Sequence, residues 1–264
     1  MARYAIGIEY SGSAYCGWQR QRHCESIQQH VESAIAFVAN HDIKLACAGR
    51  TDSGVHAMEQ VAHFESDSRR SRRAWLLGSN CRLPLDIRLK WVVPVADDFH
   101  ARFSAEARAY RYVILNSIVP SAVFHDRVSW EFRPLDHERM HECAQILVGE
   151  HDFSAFRAAG CQARSSWRCI HSLKLSRAGD LIFLDIKANA FLYHMVRNIA
   201  GSLMTVGRGD QGSAWFRRVF ESGNRNLADV TAPASGLYFL KAYYPLQYAL
   251  PTELKKPLLF CHEV

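Results

Sequence analysis

What most constrains this chain is how often its apolar spacing switches, within short stretches, between a period of two and a period near 3.6. In Arg3 to Tyr10 the residues Tyr4, Ile6, Ile8 and Tyr10 alternate, which predicts a half-buried strand. Ile27, Val31, Ala34, Ile35 and Val38 then recur at helical spacing behind Ser26-Ile27-Gln28-Gln29, a capping box of the S-x-x-Q form, so a helix is expected up to about Ala39. Lys44 to Ala48 and Gln60 to Phe64 read as strands, Arg69 to Gly78 as a helix and Leu89 to Val95 as a strand. The first half therefore reads β-α-β-β-α-β.

The second half continues the mixture. Arg108 to Leu115 is strand-like. Asp136 caps a helix to Val148, with Leu135 and Met140 placed as a hydrophobic staple and Gly149 as its stop. Ser172 to Leu175 and Leu181 to Ala188 read as strands, His194 to Val206 as a buried helix, Ala214 to Glu221 as a short one, and Leu237 to Tyr244 as a closing strand. Helices mixed with strands expected to be antiparallel give an α+β class, with two halves, 1–105 and 106–264. No repeat, low-complexity run or linker interrupts the pattern.

Composition excludes some classes. With 264 residues, 48% hydrophobic and 22% charged, the chain has enough apolar material for a packed core. No apolar run is long enough to cross a bilayer and no signal-peptide core follows Met1, so a cytoplasmic protein without a membrane partner is expected. The eight cysteines stand singly with no CxxC pair, and are read as reduced thiols. A net charge of +6 suits a polyanionic partner, though only modestly.

The densest chemistry lies in Gly49-Arg50-Thr51-Asp52-Ser53-Gly54-Val55-His56, where a cation, a carboxylate and an imidazole fall in one loop between two strands. The bland reading is a polar turn, with Gly54 supplying a positive φ. Arg50, two residues before Asp52 on extended chain, points to the same side and could keep that carboxylate ionised and oriented.

The stretch GRTDSGVHA followed by QVAHF resembles the central signature of the TruA family of pseudouridine synthases, and other segments agree in order. Tyr15 to Gln21 (YCGWQRQ) is similar to the family's YxGWQRQ segment. Asp98 to Ala105 (DFHARFSA) and Tyr110-Arg111-Tyr112 resemble its FHARFSA and YRY elements, and FLYHMVRN from Phe191 and APASGLY from Ala232 follow. The likeness spans nearly the whole chain. Ser53 stands where the family more often has Ala, and Glu59 where it often has Gly; Glu59 would place a negative charge near a loop expected to meet RNA.

The resemblance implies two ferredoxin-like α/β halves joined by an extended antiparallel sheet with a central cleft, a homodimer, and isomerisation of uridine to pseudouridine at positions 38, 39 and 40 of the tRNA anticodon stem-loop. By the same resemblance Asp52 is the catalytic aspartate. Tyr110 stacks on the target uracil, Arg197 pairs with the aspartate, and Leu237 forms an apolar wall; Arg50 joins them as a substrate-binding candidate. Each has a plainer alternative: a strand tyrosine in the core, a helix arginine reaching solvent, and a core leucine. The reaction breaks C1′–N1 and joins C1′ to C5, is redox-neutral, and calls for no metal and no cofactor. An ionised aspartate could attack covalently or remove a ribose proton to give a glycal, and the residues leave both routes open. RNA contacts are expected from Arg20, Arg102, His56 and His100, with Arg22, the Arg69 to Arg73 run, Arg108, Arg111 and Trp18 nearby.

Two rivals have sequence support. His137-Glu138-Arg139-Met140-His141 fits the H-E-x-x-H pattern of zinc peptidases, but it sits at the polar start of a helix without a third ligand at suitable spacing, in a chain of 13 histidines. The other is a non-catalytic RNA-binding protein, which an absent aspartate would have favoured.

Overall fold

A computed structural model describes residues 1–251. Its described residues group into two compact units, 1–108 with 238–251, and Ala109–Leu237.

The first unit is a sheet with helices. Its strands are β1 (Ala2–Tyr10), β2 (Ala46–Cys47), β3 (His56–Ser66) and β4 (Ile87–Val95), and it also takes β10 (Leu237–Tyr243) from the far end of the chain. β1 lies between β4 and β3, antiparallel to both. The sheet is mostly antiparallel, as expected; β10 is an exception, its Tyr238 and Phe239 running parallel to His56 and Ala57. A strand arriving from a distant part of the chain is not bound by hairpin geometry. β1 is buried on both faces rather than one: Ile6 and Ile8 are inaccessible, and at Gly7 a Cβ would lie 2.2 Å from the indole of Trp91. Only glycine lets that ring approach the strand so closely.

Helices α1 (Ile27–Ala39) and α2 (Arg72–Asn80) form because each opens on a serine N-cap. Ser26 accepts from the Gln29 N–H and Ser71 from the Ala74 N–H. α1 stops at Asn40, which takes the left-handed conformation at φ 59°. α2 delivers Trp75 against Tyr4 and Phe64, with ring centroids 5.5 and 5.2 Å away.

The second unit places β5 (Ala107–Asn116), β9 (Leu181–Ala188), β8 (Trp167–Ala178) and β7 (Gly149–Asp152) in that order, with the short β6 (Ser129–Glu131) parallel to β5. Helices α3 (His137–Ala144), α4 (Met195–Gly207) and α5 (Ser213–Ser222) complete it. Asp136 caps α3 through the Arg139 N–H, and Leu135 and Met140 are both buried, as a staple requires. α3 ends at Ala144, short of Val148, because the chain tightens into a 3-10 turn over Gln145–Leu147. α4 is buried along most of its length, as expected of the helix read from His194 to Val206, and it buries Asn198, Ser202 and Thr205 along with its apolar residues.

Candidate active site

Asp52 lies, half-buried, in the loop between β2 and β3, and several backbone groups around it are held by neighbours. From the Tyr15–Trp18 segment, the Trp18 N–H donates to the Thr51 carbonyl at 3.0 Å. The Tyr15 carbonyl accepts from the Ser53 hydroxyl at 3.1 Å and from the Gly54 N–H at 3.4 Å. That approach needs Gly17, at φ 86°, where a Cβ would sit 2.5 Å from the Thr51 oxygen. Beneath the loop, the Tyr10 hydroxyl lies 2.7 Å from Thr51 Oγ1 and Gln60 Nε2 donates to the Gly49 carbonyl at 2.6 Å. Burial pushes the Tyr10 hydroxyl pKa well up, against the opposing bonds to Thr51 and Gln60, so it stays protonated. At the loop's entry the Arg108 guanidinium donates to the Ala48, Ala105 and Arg102 carbonyls. A carboxylate is thus carried on backbone fixed from three directions.

Sequence reasoning missed Tyr10, Gln60 and Arg108 as supports. Tyr10 and Gln60 read as strand residues, and the available signal was only that a buried hydroxyl or amide needs a partner. Arg108, grouped with the RNA-facing arginines, is a backbone clamp.

Other expected residues fall in varied places. Arg50 is exposed and makes no ion pair of its own among the described residues; its charge is felt at the Cys47 thiol. Arg102 is exposed beside the Phe103 ring, and Arg20 is 55% exposed while paired at 3.3 Å with the buried Glu32. His100 is half-buried, and its Nδ1 accepts from the Arg102 and Phe103 N–H groups, so the ring orders this turn. His56, expected to meet RNA, is 1% exposed, stacked on Tyr238 at 4.8 Å with Nδ1 accepting from the Gly12 N–H. Trp18 is likewise buried, against Tyr10. Arg111 is not a surface cation: it is 2% exposed, bonded through two nitrogens to Asp185 at 2.7 Å and stacked over Phe183. Glu59 points into the fold, 2% exposed, and accepts from the Trp91 indole, so it sets no charge at the loop surface. Cys16 and Cys24, expected as reduced thiols, are joined as a disulfide; the turn between them brings their Cα atoms to 6.2 Å.

In the second unit, Tyr110 on β5 is 8% exposed and meets the Phe191 ring edge-on at 4.9 Å. Arg197 on α4 is half-buried; its Nε donates to the Ala232 carbonyl at 2.8 Å and its own carbonyl accepts from the Ala232 N–H. Leu237 is buried at the start of β10. The H-E-x-x-H histidines lie on α3, where His141 Nδ1 accepts from the Leu175 N–H and lies 3.2 Å from the Gln145 amide. That bond ties a metal-ligand candidate to structural duty.

Residues 6–104 and 143–245 match the family model described as tRNA pseudouridine synthase. A protein of Hydrogenovibrio crunogenus named tRNA pseudouridine synthase A is 54% identical over 98% of this chain and 99% of its own length. Those of Glaesserella parasuis and Photobacterium profundum, bearing the same name, are each 51% identical, over 98% and 97% of this chain and 98% of their own lengths. With matches of this identity and extent on both units, the chain belongs to the tRNA pseudouridine synthase family.

Proposed function

We propose that this enzyme isomerises uridines 38, 39 and 40 in the anticodon stem-loop of tRNA, with Asp52 as its catalytic residue. The observation that carries the reading is the Asp52 loop, whose residues on either side of the aspartate (Gly49, Thr51, Ser53 and Gly54) are held by bonds from β1, β3 and the Tyr15–Trp18 segment. Preorganised backbone of this kind suits a group that must meet one atom of a ribose or uracil. A paired uridine must leave its stack to reach it, so the target is flipped into the site.

In this reading Tyr110 and Leu237 border the uracil, Arg197 and Arg50 supply positive charge to the reacting group, and exposed Arg20 and Arg102 hold RNA phosphates, with His100 fixing the turn that presents Arg102. Recognition rests on RNA shape and backbone more than on base edges. The active species is a homodimer acting in the cytoplasm on tRNA. Among the described residues no helix is long and apolar enough to cross a membrane.

The test is pseudouridine formation in an unmodified tRNA transcript by wild type and Asp52→Asn, mapped by nucleotide, with binding measured in parallel. Modification at 38 to 40 by wild type, lost in the variant with binding retained, is the expected result. Binding without turnover by either protein would identify a non-catalytic RNA-binding protein. Modification elsewhere would move the substrate assignment.

A further inference from the structure

The second unit contains a cavity of about 590 Å³ whose lining includes Arg157, Arg225, Ser154, Asn224, Asn226 and Cys161, and no carboxylate. Both arginines are fixed, and both are fixed by neutral oxygens. Arg157 donates to the Cys161 and Ala163 carbonyls at 2.8 and 3.0 Å. Arg225 donates to the Ala228 carbonyl, Asn198 Oδ1 and Thr231 Oγ1 at 3.1 to 3.2 Å. Neither makes an ion pair among the described residues; the Asp152 carboxylate accepts from the Ser154 N–H and hydroxyl, and against the upward pull of burial those bonds, one from Ser166 and the charge of Arg157 hold its pKa down. Arg168 lies within electrostatic range of Arg157, and its buried Nε has no hydrogen-bond partner. Two preorganised guanidinium groups with asparagine side chains around a concave surface are the chemistry that binds a phosphate.

We infer that this cavity binds a phosphate group, with Arg157 and Arg225 as its cations.

The local field agrees. Against the upward pull of burial, the Cys161 thiol is held below the usual thiol range by the N–H groups of Tyr193 and Ala163 and by Arg157, so the cavity wall already favours a negative charge. The cavity is also tied to α4. Asn198, next to Arg197, accepts from Arg225 and donates to the Phe156 carbonyl, while the Ala158 N–H donates to the Tyr193 carbonyl. A phosphate held here would brace the entrance to the helix that carries Arg197.

Two sources share this chemistry, a backbone phosphodiester of tRNA and free inorganic phosphate; the first rests on the proposed tRNA reading. The experiment uses the full-length enzyme with Ala159→Glu and Asn226→Glu combined, both exposed positions on the lining, and separately Asn226→Lys. tRNA affinity is measured against salt concentration, and inorganic phosphate binding by calorimetry. For a tRNA phosphodiester, the double glutamate variant binds tRNA ~10-fold more weakly at low salt with a slope shallower by about 1 to 2, and Asn226→Lys steepens it. If only inorganic phosphate binding changes, the site serves the free ion. Unchanged tRNA affinity, slope and phosphate binding in folded variants, judged by circular dichroism, would overturn the inference. Wild-type turnover on tRNA in the same preparation keeps that failure separate from failure of the proposed function.

Discussion

Tyr10 and Gln60 have no part in bond making, yet they hold the backbone on either side of Arg50, one through Thr51 and the other through Gly49. The first bond is buried and the second partly so, and removing one partner leaves the other unsatisfied, at a cost of about 1 to 3 kcal/mol where water cannot reach it. If that cost appears as loosening of the loop, the carboxylate loses its alignment while the RNA surface stays intact. Tyr10→Phe and Gln60→Leu are therefore expected to lower kcat on tRNA about tenfold, with KM changed less than about twofold. Steady-state kinetics decide it: a rise in KM at unchanged kcat would count against a positioning role. Gln60→Glu, which keeps an acceptor but removes the amide donor to Gly49, should resemble Gln60→Leu.

The elements show which local signals are strong enough to act unaided. Serine caps at Ser26 and Ser71 and the aspartate cap at Asp136 start helices where the sequence placed or nearly placed them, because a cap satisfies its own N–H groups whatever lies beyond. Strand ends were less readable. Lys44 to Ala48 shrinks to the two residues of β2, whereas Gln60 to Phe64 extends to the eleven of β3, since pairing partners and not side-chain type decide where a ladder stops. α2 is anchored mainly by Trp75, which is 1% exposed between Tyr4 and Phe64. Trp75→Ala should destabilise the protein by about 3 to 5 kcal/mol, and chemical denaturation would register it as a lower midpoint. Trp75→Phe should recover most of the loss.

At the scale of the molecule, pH dependence follows from His63. Its Nδ1 accepts from the Ala101 N–H at 3.2 Å, a bond only the neutral ring can make. Burial first, then the neighbouring His100 and Arg3, holds its pKa down at about 4. An unfolded histidine titrates at about 6.5, so the unfolded chain takes up the proton first. Stability from this group is complete above about pH 6.5 and is lost as the pH falls towards 4. Tm is expected to decline between pH 6.5 and 5, before most carboxylates titrate, and His63→Asn should flatten that part of the profile. An identical decline in the variant would assign it elsewhere.

Long, ordered motifs made the family legible, and amphipathic periods with their caps made most helices and strands legible, because both are written in residues close together in the chain. The placement of Asp52 on a constrained turn was legible for the same reason: Gly54, at φ 77°, and the flanking strands are local. The fate of individual charged and aromatic side chains was not. Arg111 and Arg108 look alike in sequence to Arg102, yet the first is buried against Asp185, the second clamps a carbonyl, and the third is exposed. His56, Trp18 and Glu59 went inward in the same way. A hydrogen-bond or ion-pair partner tens of residues away sets which of these side chains is buried, and only the folded chain brings that partner within reach.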